Sequence, residues 1–207
     1  LNLYDQQVSQ LIDSGSNELI LTIIRKYLVQ MFRYDRQIAP FRLLSMEKKY
    51  TFPIHINPEG TSRTVYIGGI IDRIDETESA IRIIDYKTGS DTTTFKNLES
   101  LFDGSTPSRN KAAFQTLLYC LMFGKGELQT KPLQPGIYST KLLFDPDYKP
   151  LLKQDKEMII NFNRYKEAFE ALLKELLEKL FSPQEAFTPT MNEKKCHSCP
   201  YAPICRK

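Results

Sequence analysis

The stretch from Ile67 to Gly89, IGGIIDRIDETESAIRIIDYKTG, constrains this chain more than any other. Two Ile-rich runs stand back to back here, VYIGGIIDRID and AIRIIDYKTG, and each ends on charged residues. The Asp-Glu-Thr-Glu-Ser segment between them is turn chemistry, so the pair predicts a β-hairpin. Side chains two apart in a strand share a face, so Asp85 and Lys87 project together while Tyr86 points the other way. Pairing of the two strands brings Asp72 close to them.

Two carboxylates converging beside an ammonium suit a hard divalent cation. Magnesium takes one or two carboxylates with waters and substrate phosphates, and the carbonyl of Tyr86 is a further oxygen in reach. Such an ion lowers the pKa of a bound water and stabilises charge on a scissile phosphate, with Lys87 orienting that water or sharing the charge. The plainer alternative is an exposed hairpin tip carrying Asp, Arg and Lys, because Asp-x-Lys is short and frequent.

The wider pattern decides between them. G-x-I-D-R-I-D is followed, thirteen residues from Asp72 to Asp85, by I-D-Y-K-T-G, and then by Gln115-x-x-x-Tyr119. This order resembles the PD-(D/E)XK nuclease superfamily, specifically its RecB-like branch, from about Phe41 to the C-terminus. The resemblance implies an α/β fold, a restriction-endonuclease-like mixed β-sheet flanked by helices. It matches Asp72 to the first metal-binding acid, Asp85 and Lys87 to the D-x-K pair, and Gln115 and Tyr119 to a helix motif that shapes the site. The implied activity is that of a Mg²⁺- or Mn²⁺-dependent deoxyribonuclease, an exonuclease domain of a helicase–nuclease subunit in double-strand break repair. DNA, with single-stranded ends, and a helicase or other partner subunit are the implied partners. Two alternatives remain open: a CRISPR-associated RecB-like exonuclease, and an inactive DNA-binding or scaffold domain of the same fold.

At 207 residues, 41% hydrophobic and 26% charged, the chain is large enough for one domain with a real core. Its net charge of +3 makes any DNA contact a local matter. No apolar run approaches the length of about 18 residues that a membrane span needs. Asn17 to Arg33 carries Leu19, Ile23, Leu28, Met31 and Phe32 at helical spacing, with Ser14 or Ser16 as a cap. Leu43 to Ile56 is a strand that Pro53 marks as an edge or bulge; Glu47 there is a supporting residue and His55 faces solvent. A polar connection of about twenty residues follows Gly89, a length that in a compact domain marks a functional or mobile loop. It leads into a helix, AAFQTLLYCLMFGKG, where Gln115 and Tyr119 share a face and Arg109 and Lys111 stand at the start. These two basic residues are placed against the DNA backbone; Cys120, among Leu117, Leu118, Leu121 and Met122, is a buried thiol. Gly136 to Phe144 is a further strand, Asp145-Pro146-Asp147 a turn, and Met158 to Phe181 a helix striped by Phe162, Tyr165, Phe169, Leu172, Leu176 and Leu180.

Three of four cysteines close the chain, Cys196-x2-Cys199-x5-Cys205. That clustering indicates a metal or cluster site in a reducing compartment, hence a cytoplasmic protein. Zinc held with His197, a [4Fe–4S] cluster, and three free thiols are all open on these residues. The tail resembles that of AddB-type nucleases, whose fourth cluster cysteine lies upstream of the nuclease core. No cysteine precedes Cys120, and the family's active-site histidine on a helix ahead of the core has no match. With a start, LNLYDQQVSQ, that has neither initiator Met nor signal-peptide pattern, the chain reads as a fragment lacking its N-terminal part. The division expected is a nuclease core over residues 1–190 and a cysteine-rich tail over 191–207.

Overall fold

The computed structural model describes residues 15–89, 91–105, 109–127, 130–186, 188, 190, 196–197 and 199–205. Strand β1 (Arg42–Ile56) pairs antiparallel with β2 (Arg63–Glu76), and β2 pairs antiparallel with β3 (Ile81–Lys87), so the two Ile-rich runs do form a hairpin. Strand β5 (Leu133–Ser139) lies parallel to β3, from Ile81 opposite Leu133 to Lys87 opposite Ser139. The sheet order is β1-β2-β3-β5. A parallel neighbour demands a crossover. Here it consists of β4 (Thr94–Phe95), α2 (Leu98–Phe102) and α3 (Lys111–Gly126). The result is the expected α/β architecture, a mixed sheet flanked by helices.

Helix α3 and the later α4 (Lys166–Phe181) cover one face of the sheet. Phe52, Ile54, Ile71, Ile74 and Ile83 of the strands meet Leu117, Leu121 and Phe169 of these helices in the main core. Phe169 is fully buried, its ring 5.2 Å from Phe102, 5.7 Å from Phe114 and 6.1 Å from Phe162. The opposite face receives the C-terminal end of α1 (Gly15–Ile38), where Tyr34 and Asp35 meet Tyr138. A small sheet of β4, β6 (Lys153–Gln154) and β7 (Glu157–Met158) flanks the crossover.

Several expectations need correction. Asp75 is no turn residue: β2 runs to Glu76, and Asp75 is fully buried against Arg82. Among its described residues the connection after Gly89 holds a short helix, because Asn97 and Ser100 form a reciprocal capping box that starts α2. The strand expected at Gly136–Phe144 begins at Leu133 and ends at Ser139, where turns pull Leu142 and Leu143 back onto the Ser139 carbonyl. The last long helix starts at Lys166. Met158 is taken by the β7 ladder, and Asn161 caps a separate 3₁₀ turn, Phe162–Arg164. Its inward residues are Phe169, Leu173 and Leu177, while Leu176 and Leu180 are exposed. Helix α1 is longer than its pattern, and Leu19, Ile23, Leu28 and Phe32 stand exposed. Ser16 lies inside α1, and Ser14 lies outside the described residues. Among the described residues no helix is long and apolar enough to cross a membrane.

Candidate active site

Inward alternation along β2 breaks next to Asp72. Ile71 and Ile74 are both fully buried in the same core, although an odd step separates them. The ladder pairs Met46 with Arg73 and Lys48 with Ile71, which leaves Glu47 opposite Asp72. Glu47 has φ 48°, a conformation that residues with a Cβ rarely adopt. This irregularity puts Asp72 on the α3 side, where its charge acts on Asp85 and Tyr119. The β2–β3 ladder pairs Arg73 with Ile84, so the next step brings Asp72 beside Asp85. The Tyr86 amide donates to Asp72 Oδ2 at 2.8 Å and fixes that carboxylate.

Asp85 is 1% exposed, and its Oδ2 lies 2.6 Å from Lys87 Nζ. That short contact is a charge-assisted pairing of the ammonium with the buried carboxylate. Burial pushes the Asp85 carboxyl up to about 6; Lys87 opposes the rise, and the charges of Asp72 and Asp91 reinforce it. Lys87 Nζ donates to Gln115 Oε1 at 2.8 Å, and Gln115 Nε2 donates to the Tyr119 hydroxyl at 2.6 Å. Burial also raises the Tyr119 hydroxyl above its ordinary range. Gly69 makes this possible, because a Cβ there would stand 3.0 Å from Tyr119 Cε1. The structure thus brings Asp72, Asp85, Lys87, Gln115 and Tyr119 together.

A hollow of about 780 Å³ opens at the N-terminal end of α3, lined by none of these five residues. Arg109, Lys111 and Lys96 line it together with the acids Asp91, Glu99 and Asp103, and the charge of Asp91 reaches Asp85. Asn110 builds the junction: its Oδ1 accepts from the Ala113 amide while Nδ2 donates to the carbonyls of Thr92 and Thr94. Among the described residues none of the three cations forms an ion pair.

These features belong together in one known group. A family model of the PD-(D/E)XK nuclease superfamily matches residues 5–206. The chain belongs to the PD-(D/E)XK nuclease superfamily. Nuclease activity, and with it nucleic-acid binding, is what membership implies. No curated protein matches the chain significantly. A solved structure described as "Crystal structure of SSO0001" aligns over 98% of this chain and 76% of its own, at 16% identity and a TM-score of 0.38. A likeness that distant carries no weight for the chemistry.

As a metal site for such a nuclease the geometry is economical. Among the described residues no three His, Cys, Asp or Glu side chains gather where they could hold a metal ion. A cation here would take the carboxylates of Asp72 and Asp85, the Tyr86 carbonyl and waters, a set that Mg²⁺ or Mn²⁺ accepts. The neighbouring carboxylates fit that role, since the charge of Asp72 acts against that of buried Asp85 and a cation between them would offset the repulsion. The tail is different. Cys196 and Cys199 are half-buried and Cys205 is exposed. With His197 they assemble no three-ligand group, so neither zinc nor an iron–sulfur cluster is assigned there. Cys120 is fully buried, and His55 is exposed with Nδ1 3.0 Å from the Thr64 hydroxyl.

Behind the site lies a buried charge network that the sequence reading missed. Arg73 and Arg82 clasp Asp75, and Arg73 also reaches Asp35 of α1. One signal was available: the register that sets Asp72 beside Asp85 also sets Asp75 opposite Arg82.

Proposed function

We propose that this chain is a Mg²⁺- or Mn²⁺-dependent deoxyribonuclease that cleaves DNA phosphodiesters from single-stranded ends, as the exonuclease domain of a helicase–nuclease subunit. The observation that carries the reading is the Asp85–Lys87 pair, closed off from bulk water at one end and tied to the α3 motif at the other. Asp72 and Asp85 hold the divalent ion, helped by the Tyr86 carbonyl. When bound, the ion supplies an acidified water and neutralises charge on the phosphate.

The protein's own groups do the rest. The Lys87 ammonium is held between Asp85 Oδ2 at 2.6 Å and Gln115 Oε1 at 2.8 Å, which fixes it at the edge of the site, within reach of the attacking water or a phosphate oxygen. Tyr119, held by Gln115, forms the wall of the site against β2. Arg109 and Lys111, joined by Lys96, receive the DNA backbone in the adjoining hollow. The resemblance of the motif order to RecB-like nucleases supports the repair setting and the partner helicase. The division into a core over residues 1–190 and a tail over 191–207 belongs to the same reading.

The test is cleavage of end-labelled single-stranded DNA with Mn²⁺ or Mg²⁺, with and without chelator, beside Lys87→Ala. We expect metal-dependent release of nucleotides by the parent protein and a loss of 10²-fold or more in the variant, in the range for losing one preorganised electrostatic group. Equal rates in both proteins would remove Lys87, and this mechanism, from the reaction.

A further inference from the structure

The sheet face opposite the catalytic residues buries four charges that the reaction does not use. Arg73 Nη1 donates to Asp35 Oδ2 at 2.7 Å, and Arg73 Nε donates to Asp75 Oδ2 at 2.7 Å. Arg82 binds both oxygens of Asp75, at 2.6 and 2.7 Å. Asp35 Oδ1 accepts from the Tyr138 hydroxyl at 2.7 Å, and Arg73 Nη1 also reaches the Tyr86 hydroxyl at 3.2 Å. Phe41 lies against both guanidiniums, 4.9 Å from Arg73 and 5.4 Å from Arg82. The side chains of Arg73 and Asp35 are 7% and 14% exposed, and Asp75 is closed off completely. Two positive and two negative charges balance without solvent, so every member depends on the others.

The network's position in sequence is what gives it a task. Arg73 directly follows Asp72, and Tyr86 stands between Asp85 and Lys87. The same Tyr86 that takes the Arg73 bond on its hydroxyl donates its amide to Asp72 on the other face. Asp35, from α1, therefore holds β2 from behind through Arg73 and β5 through Tyr138, and it reaches β3 by way of the Arg73–Tyr86 bond. Those two carboxylates repel each other when no cation lies between them, and β2 and β3 carry both the acids and the groups that restrain them, the Tyr86 amide and the Lys87 ammonium.

We infer that Asp35 is a positioning residue: through Arg73 and Tyr86 it holds β2 and β3 in the register and tilt that set the two carboxylates for a divalent ion. The inference rests on the metal-dependent nuclease reading above, and makes α1 part of the catalytic apparatus although it contributes no group to the site. A purely structural network would affect unfolding alone. A positioning network also sets how tightly the folded protein binds the ion, because partners outside the ligand set are worth 10–100-fold in metal affinity.

The experiment uses the full chain as wild type, Asp35→Asn, Asp35→Glu and Tyr86→Phe, the last keeping the ring, the amide and the carbonyl. Mn²⁺ affinity is measured by paramagnetic resonance titration, folding by circular dichroism in chelator, and cleavage on single-stranded DNA. We expect folded Asp35→Asn to bind Mn²⁺ at least tenfold more weakly, Asp35→Glu to recover part of the loss, and Tyr86→Phe to shift the same way by less. If Asp35→Asn does not fold, Tyr86→Phe alone decides: weaker Mn²⁺ binding by the folded variant supports the role, and wild-type binding overturns it. Variants that fold and bind Mn²⁺ like wild type overturn the positioning role while leaving the nuclease reading intact. A wild-type protein that neither binds Mn²⁺ nor cuts DNA overturns both.

Discussion

At the scale of single residues, Asp85 carries the sharpest consequences. Its carboxyl titrates near about 6 because burial disfavours its charge more than Lys87 favours it. The folded chain thus holds a proton there more tightly than the unfolded chain, whose aspartates titrate near about 3.9. Raising the pH from about 4 to about 6 then removes stability, on the order of 2–3 kcal/mol, and the loss persists above that window. Asp85→Asn should accordingly unfold at a higher temperature than wild type at pH 7 in chelator, and the gap should close near pH 4; calorimetry at both values reads this directly. The same proton competes with the metal. Mg²⁺ affinity, followed by isothermal titration, should be level above pH 6 and fall about tenfold per unit below it. Affinity independent of pH between 4.5 and 6 would separate Asp85 from the ion. Gly69 belongs at this scale too. A methyl group there meets Tyr119 at 3.0 Å, so Gly69→Ala disturbs the Gln115–Tyr119 pair without touching a charged group.

Among the elements, α3 ties chemistry to architecture. It places Gln115 and Tyr119 one turn apart, and Asn110 anchors its start to the crossover through three backbone partners. Asn110→Ala should lower stability in urea unfolding by about 1–2 kcal/mol, with Asn110→Asp keeping the cap but losing both donated bonds. Phe169→Ala, which empties the aromatic cluster joining α2, α3 and α4, should cost about 3–5 kcal/mol in the same measurement. Periodicity in the sequence was enough to find β1, β2, β3 and α3, because each carries a run of buried apolar residues, as from Tyr50 to Ile56 in β1. It failed where a local bond overrides the pattern. The Asn161 cap, for example, cuts the apparent helix at Met158 from the real one at Lys166, and the Asn97 box makes a helix inside a polar loop. It also misled at α1, whose apolar residues show the right spacing but stand in the open. Spacing reports helical form, and only packing decides what a stripe meets.

For the molecule as a whole, the site divides into a part written in neighbouring residues and a part made by folding. The convergence of Asp72, Asp85 and Lys87 was legible because one hairpin register implies it, and Gln115 with Tyr119 because a helix turn implies it. Asp35 was not, since it meets Arg73 across 38 positions and no periodicity links a helix end to a strand. Charge behaves likewise. With 28 basic and 25 acidic side chains the chain is nearly balanced, so long-range attraction for DNA is weak. The proposed DNA path then depends on local cations, and Lys96, Arg109 and Lys111 line the hollow at the start of α3 beside Asp91, Glu99 and Asp103. Each phosphate neutralised on a single strand contributes about −0.7 to the slope of log affinity against log salt, so three give roughly −2. Titrating fluorescent single-stranded DNA into the protein with Ca²⁺ in place of Mg²⁺, at several salt concentrations, measures that slope. Replacing any one of the three by Ala should flatten it by about 0.7 and weaken binding alike for all sequences. A slope far steeper than −2 that survives all three replacements would place the DNA on another face and leave this hollow without a part in binding it.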